Sequence, residues 1–347
     1  MLNLGVWSLT GIVVGVLVVA LLVLMIIGCV LSKREIPGIP PGPSFLPLVG
    51  NVIDMSWKYR TRKYKYFEKM EKKYGSVYRL YFGRQLLIFL NDMDSVKEAF
   101  VIKRYLYRQT HGEVLGGSPA FLIEASHGEG PLTPINMLPQ LLYLPGARGK
   151  FKKLIAGAEL TKTYISKRIV EHKKTWNKDK PRDLIDCGLA AIADADSQEF
   201  NNRILMYIFF DMFIAGSDTI ANSMDWAFLH MIVNTDTQIK CQKEIDEVVG
   251  SERRVVWADK PNMPYCTATL MECLRYSNVA MTSLPHTATK DTMIKGFVIP
   301  KGSIILAGIN SIHHDENLWE KPEQFKPERF IDGDGKIIHN EKDQRLI

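Results

Sequence analysis

From Met1 to Ser32 the sequence carries no charged side chain, and its centre reads GIVVGVLVVALLVLMIIGCVL. About 20 consecutive apolar residues suffice to cross a bilayer as a helix. A cleaved signal peptide has a basic leading region, a shorter apolar core and a small-residue cleavage site. This run has no basic leader and is too long. Lys33 and Arg34 follow it at once, which places the body of the protein on the cytosolic side. Residues 4–31 are therefore expected to form an uncleaved, single-pass transmembrane helix. Residues 32–50 contain IPGIPPGPSFLPLVGN, whose five prolines exclude helix and favour an extended, semi-rigid hinge.

The remaining body, 51–347, is long enough for one large core or two smaller ones. Five cysteines fall at scattered positions, Cys29, Cys187, Cys241, Cys266 and Cys273, with no zinc-like spacing. That usage suits a reducing compartment better than a disulfide framework. The formal net charge is +6, with a basic cluster KYRTRKYK at 58–65. It reads first as a solvated face and second as a contact for anionic lipid or an acidic protein. Nucleic acid is not an expected partner, because no recognition motif accompanies the charge.

Periodicity places the elements. KYFEKMEKKYG reads as an amphipathic helix ended by Gly75. SVYRLYFGRQLLIFLND reads as two strands around a Gly83-Arg84 turn, and DMDSVKEAFV as a short helix with an Asp cap. Long helices are expected over FKKLIAGAELTKTYISKRIVEHKK, over about 200–233, over TQIKCQKEIDEVVG and over MPYCTATLMECLRYS. KGFVIPKGSIILAGI reads as a strand pair. From about 103 to 120 the pattern loses its periodicity. The fold class is mainly α with a small antiparallel β-sheet.

Two stretches carry unusual chemistry. FFDMFIAGSDT, 209–219, sets Gly216, Ser217, Asp218 and Thr219 into a helix that is otherwise apolar on nearly every side. Such a helix is normally buried. Glycine weakens a helix, and an unpaired buried Asp costs several kcal/mol. Ser and Thr in helices often bond back to the i−4 carbonyl. In MECLR, Glu272 and Arg275 share one helix face at i, i+3. As a surface pair they would contribute little. On so apolar a helix, burial would demand a third partner for the charges, and Arg329 in KPERF is the candidate.

AGSDT (215–219), ECLR (272–275) and PERF (327–330), in that order behind an apolar anchor and a proline-rich hinge, resemble the microsomal cytochrome P-450 family of the animal xenobiotic and fatty-acid type. LPHTATKDT and IPKGSII between the last two motifs extend the likeness. The resemblance implies a haem-thiolate monooxygenase in the endoplasmic reticulum membrane, with its body in the cytosol. It would carry haem b and insert one atom of O2 into a lipophilic small molecule. Electrons would come from an NADPH-dependent flavoprotein reductase. It further implies that Glu272, Arg275 and Arg329 form a buried structural triad. Ala215, Gly216, Asp218 and Thr219 would form the kinked oxygen-binding part of the central helix. There Gly216 leaves room for O2, Thr219 hydrogen-bonds the activated oxygen and Asp218 relays protons. His286 would contact a haem propionate, although a lone His is more often structural. Phe213, Ile214, Ser283 and Leu284 would line the substrate pocket, unless Phe213 and Ile214 are plain core. LLYLPG would dip into the membrane.

The sequence departs from that family in two places. The F-x-x-G-x-R-x-C-x-G loop that supplies the axial thiolate is not found after PERFIDGDGKIIHNEKDQRLI. Nor is there a Trp-x-x-x-Arg, and the region near 103–120 stands where the family has several helices. The body is thus expected to be an incomplete catalytic domain, internally deleted and truncated, with no metal ligand assigned. The alternative function is a catalytically inactive membrane-bound form that folds poorly and holds no thiolate-ligated haem.

Overall fold

The computed structural model describes residues 36–46, 49–58, 64–83, 85–102, 106–108, 147–194 and 201–338, with scattered helical positions between 11 and 23. Most of the expected anchor, the LLYLPG stretch and nearly all of 103–120 lie outside the described residues. The chain divides into two compact units, 1–109 with 281–312, and 110–280 with 313–347.

The first unit is built on a sheet. Helix α1 (Val52–Lys58) and helix α2 (Tyr64–Tyr74) precede strands β1 (Val77–Phe82) and β2 (Gln85–Leu90). Gly75, at φ +92°, ends α2 with its N–H on the Glu71 carbonyl at 2.8 Å. The two strands pair antiparallel from Val77↔Leu90 to Phe82↔Gln85, with Gly83 in the turn at φ +60°. Asp92 caps α3 (Met93–Lys97) by accepting from the Ser95 N–H at 2.8 Å. A π-helical turn, Glu98–Ile102, continues it. Strands β3 (Leu106–Arg108), β4 (His286–Ala288) and β7 (Ile304–Ala307) complete a five-stranded sheet of order β1-β2-β7-β4-β3. Strands β5 (Thr292–Ile294) and β6 (Phe297–Ile299) form a separate antiparallel ribbon.

Two expectations change here. The small sheet is not purely antiparallel, because β2 and β7 run parallel, Leu87↔Ile304 to Leu90↔Ala307. The expected strand pair in KGFVIPKGSIILAGI is two strands of different sheets, β6 pairing with β5 and β7 with β2 and β4. The central β7 is buried at all four positions, which gives it the continuous apolar run IILA of a doubly covered strand. The described residues of the expected hinge, 36–46 and 49–50, hold no helix, turn at 37–38 and are fastened to the body. Pro41 accepts the Arg79 N–H at 2.8 Å, Pro40 accepts from the buried Arg79 guanidinium at 2.6 Å, and Gly38 accepts the Val298 N–H at 2.8 Å.

The second unit is helical: α4 (Ala147–Thr175), α5 (Leu184–Asp194), α6 (Asn202–Val233), α7 (Thr235–Val248) and α8 (Pro264–Tyr276). Ala158, Ile165 and Ile169 of α4 pack with Leu189 of α5 and Leu205 and Phe210 of α6. Helix α5 was not anticipated. Its Gly188 resembles a breaker, yet a Cβ there would lie 2.3 Å from Leu205 Cδ1, so the glycine serves close helix approach. Asn201 caps α6, accepting from the Arg203 and Ile204 N–H groups at 3.0 and 3.2 Å.

The α4–α5 junction is electrostatic. His172 places Nδ1 2.9 Å from the Arg168 carbonyl and Nε2 2.7 Å from Asp183 Oδ2. With acceptors at both nitrogens, the protonated ring is favoured and the group titrates above its ordinary value. The Arg168 carbonyl is the larger cause and Asp183 the second, opposed in part by Arg182. Arg182 grips Asp186 through Nε and Nη2 at 2.7 and 2.9 Å and holds that carboxyl down at about 2. Because the folded His172 pKa is raised, its contribution to stability is full below about pH 6.5 and is lost as pH rises through the folded value. We expect hydrogen exchange over 184–194 to quicken across that upper window. A ring titration by NMR that places His172 at or below the ordinary value would remove the effect.

Candidate functional site: the notch of α6 and the arginine lock of α8

Helix α6 is continuous from Asn202 to Val233 through the notch. Four of its side chains bond back along the helix. Ser217 Oγ donates to the Phe213 carbonyl at 2.6 Å, and Thr219 Oγ1 to the Ala215 carbonyl at 2.5 Å. Asn222 and Ser223 donate to the Asp218 and Thr219 carbonyls at 2.7 and 2.8 Å. This is the local bonding expected of Ser and Thr inside helices.

The expected burial of this helix is not observed. Leu205, Phe210 and His230 are buried, whereas Phe213 and Ile220 are 53% and 59% exposed. Ala215, Gly216, Ser217 and Thr219 are exposed as well, and Asp218 is half-buried. A Cβ built on Gly216 meets nothing within 4 Å. The notch is therefore an open, small-residue segment, and Asp218 avoids the penalty of an enclosed carboxylate. By length and composition alone α6 would also cross a membrane. Its buried residues instead join the helical unit.

His230 ties the far end of α6 to α8. Its Nε2 lies 2.8 Å from Ser277 Oγ, and its ring stacks on Phe325 at 4.5 Å and meets Tyr276 edge-on at 5.3 Å.

On α8 the structure brings Glu272, Arg275 and Arg329 together. Glu272 and Arg275 are 0% exposed. Arg275 Nε and Nη2 form a fork on the Glu272 carboxylate at 2.8 and 2.9 Å. Arg329 Nε reaches the same carboxylate at 3.1–3.2 Å, and the Lys326 N–H adds a fourth donor at 2.8 Å. The remaining guanidinium donors end on backbone. Arg275 reaches the His313 and Pro322 carbonyls at 2.7 and 2.9 Å, and Arg329 reaches Glu320 and Gln324 at 2.9 and 3.1 Å. Trp319 lies under both arginines, at 5.4 and 6.0 Å. The sequence pointed to the three side chains. It gave no sign of Lys326 or of the carbonyls, because backbone groups carry no residue-type signal.

Three other expected site residues, Ser283, Leu284 and His286, lie in the first unit. Ser283 Oγ accepts from the Ala307 N–H at 2.9 Å, and Leu284 is 42% exposed. His286 opens β4, with Nδ1 2.9 Å from the Leu284 carbonyl and its ring edge-on to Phe100 at 4.5 Å. Phe213 and Ile214 lie on α6 in the second unit.

One unit built on small sheets and one mainly helical unit, the latter with a buried glutamate clamped by two arginines, make up the chain. A family model described as cytochrome P450 matches residues 40–118 and 131–345, and the chain belongs to that family. Among its relatives, mouse "Cytochrome P450 2U1" is 27% identical across 94% of this chain and 83% of its own length. Human "Cytochrome P450 2U1" is 28% identical across 90% and 79%. Golden hamster "Cytochrome P450 2D27" is 36% identical across 68% of this chain and 48% of its own length, so the chain spans about half of that relative. The mouse alignment runs over 441 positions against a chain of 347 residues, so part of the aligned span has no counterpart here.

The family uses haem as its cofactor. The donor set of the described residues does not complete a haem-thiolate site. Of the four described thiols, Cys187 is exposed on α5 and Cys273 is buried on α8, where burial pushes its thiol up to about 12. Cys241 Sγ and Cys266 Sγ are engaged at the α7–α8 contact, with Thr269 Oγ1 at 3.4 Å and the Cys241 carbonyl at 3.5 Å. A cysteine serves as an axial ligand only as a thiolate.

Proposed function

We propose that the chain is of haem-dependent monooxygenase lineage, acting on a lipophilic substrate with O2 and electrons from an NADPH-dependent flavoprotein reductase. It would sit in the endoplasmic reticulum membrane on a single helix, its body in the cytosol. The observation that carries this reading is the open Ala215–Thr219 segment on α6, in the same unit as the arginine-locked α8 and within a matched family of haem proteins. In this reading Gly216 would keep a face of α6 free of side chain, and the Thr219 hydroxyl, which donates to the Ala215 carbonyl, would be the hydrogen-bonding group beside that face. Asp218 supplies protons from its half-exposed position. On α6, Phe213 and Ile214 would bear on substrate; in the first unit Ser283 and Leu284 would do so and His286 would bear on a propionate.

A second reading concerns the described chain acting alone, as a catalytically inactive membrane-bound form. The four described thiols favour it, since none is placed as an axial thiolate. The discriminating experiment is expression of this chain with haem supplied, followed by the reduced, carbon monoxide-bound spectrum. We expect no thiolate-type Soret band while far-ultraviolet circular dichroism reports helix. A thiolate-type band would overturn the second reading and assign the activity to this chain. In that event Thr219→Ala should lower the rate of product formation by about 100-fold or more, the scale of a lost positioned proton donor.

A further inference from the structure

Two cysteines that the monooxygenase reading leaves unused face each other where α7 and α8 meet. Cys241 is on α7, and Cys266 is in the first turn of α8. Glu244, one turn beyond Cys241, accepts the Tyr265 and Cys266 N–H groups at 2.8 and 2.7 Å and so fixes the start of α8 against α7. Cys266 Sγ lies 3.5 Å from the Cys241 carbonyl, and Cys241 Sγ lies 3.4 Å from Thr269 Oγ1, one turn along α8 from Cys266. Both residues are partly exposed, whereas Cys273 is buried.

The bland reading is two small helix cysteines satisfying their S–H groups on nearby oxygens. Reactivity requires more: a partner sulfur within bonding geometry, access to solvent and a population of thiolate. Access is met by the partial exposure of both residues, and proximity by the contact that brings the Cys266 sulfur onto the Cys241 backbone. The third is supported by Cys241, which is drawn down to about 7 by the Cys266 thiol, with Thr269 assisting. Cys266 moves the opposite way, raised chiefly by its bond to Cys241 and by burial. One sulfur is thus set to attack and the other keeps its proton.

We propose that Cys241 and Cys266 are a reversible thiol–disulfide pair that, on oxidation by hydrogen peroxide, staples α7 to α8. The Cys241 thiolate attacks one peroxide oxygen, the O–O bond breaks, and hydroxide leaves a sulfenic acid on Cys241. The Cys266 sulfur then attacks the Cys241 sulfur, the S–S bond forms, the S–O bond breaks, and water departs. Two thiols and one peroxide give one disulfide and two waters, with two electrons passing from sulfur to oxygen. The bridge closes the segment 241–266, which contains the Gly250 turn and the 3-10 turn Trp257–Asn262.

The test uses the full chain in detergent, reduced and then exposed to peroxide, with alkylation and peptide mapping. The expected result is one cross-linked species joining the Cys241 and Cys266 peptides, lighter by about two hydrogens than their sum and reversed by dithiothreitol. Its rate should rise with pH through about 7, as the Cys241 thiolate forms. Cys187→Ser should leave its yield unchanged, while Cys241→Ser should abolish it. Equal alkylation of both cysteines before and after exposure, in protein whose circular dichroism is unchanged, overturns the proposal. So does an endpoint in which Cys241 stops at an oxygen acid or bridges to another cysteine. These readouts come from the parent chain, so they stand even if a serine variant folds poorly.

Discussion

Glu272→Ala is expected to cost about 3–5 kcal/mol, the range for removing one partner of a buried ion pair. The figure follows from what remains behind. Arg275 is fully buried, and its Nε and Nη2 would lose the carboxylate at 2.8 and 2.9 Å. Arg329 Nε and the Lys326 N–H would lose it too, at 3.2 and 2.8 Å. No water-filled route replaces four donors at once without opening the contact between α8 and the PERF turn, where Ala268, Trp319 and Phe330 pack. For a unit of this size a loss of that order lowers the melting midpoint by roughly 6–20 °C. Glu272→Gln should fall between, since it keeps the shape and an acceptor oxygen but loses the charge. Arg329→Lys tests the fork separately. One ammonium cannot reach Glu272 together with the Glu320 and Gln324 carbonyls, so a clear loss is expected despite the retained charge. A Glu272→Ala midpoint within about 2 °C of the parent would mean that the network contributes little, as some buried ion pairs do.

The same residues show what a sequence can and cannot disclose. The Glu272–Arg275 spacing and the apolar helix around it demanded a third charge, and Arg329 occupies that place in the structure. This was legible because burial of charge has few solutions. Helix ends were legible for a similar reason: Gly75 and Gly250 adopt φ of +92° and +71°, which other residues rarely do. Strand partnership was not. The runs FVI and IILA are five residues apart and look like a hairpin, yet they enter different sheets. Partner choice between distant segments depends on packing across more than 200 residues, and no local pattern encodes it. The notch of α6 misled in another way. An apolar surround suggested enclosure, but Phe213, Ile220 and Gly216 stand open in this structure, and the polar groups bond mainly to their own helix. The residues were conspicuous, whereas their surroundings depend on segments that composition cannot position.

Gly50→Ala is the other substitution expected to have a large effect, and it acts on the first unit. Gly50 lies at φ +66°, and a Cβ there would fall 2.0 Å from the Tyr81 carbonyl oxygen and 2.6 Å from its carbon. Both are backbone atoms of β1, so no side-chain rotation relieves the clash. The Gly50 N–H also donates to Leu46 at 2.7 Å, and the next residue is locked twice to the strand. Asn51 N–H donates to the Tyr81 carbonyl at 2.6 Å, and Asn51 Oδ1 accepts the Tyr81 N–H at 2.9 Å. Moving Gly50 aside breaks this latch, which fastens the end of the proline-rich segment to the sheet. The expected cost is about 4 kcal/mol or more, in the range reserved for steric and backbone strain. Gly75→Ala separates the causes. It has a similar positive φ but meets nothing within 4 Å, so it should carry only the conformational cost of about 1–2 kcal/mol. Hydrogen exchange at Tyr78–Phe82 is the measurement. Strong loss of protection in Gly50→Ala beside a mild change in Gly75→Ala supports the latch. Equal, mild changes in both would reduce Gly50 to an ordinary turn glycine and leave the hinge held by Pro40, Pro41 and Gly38 alone.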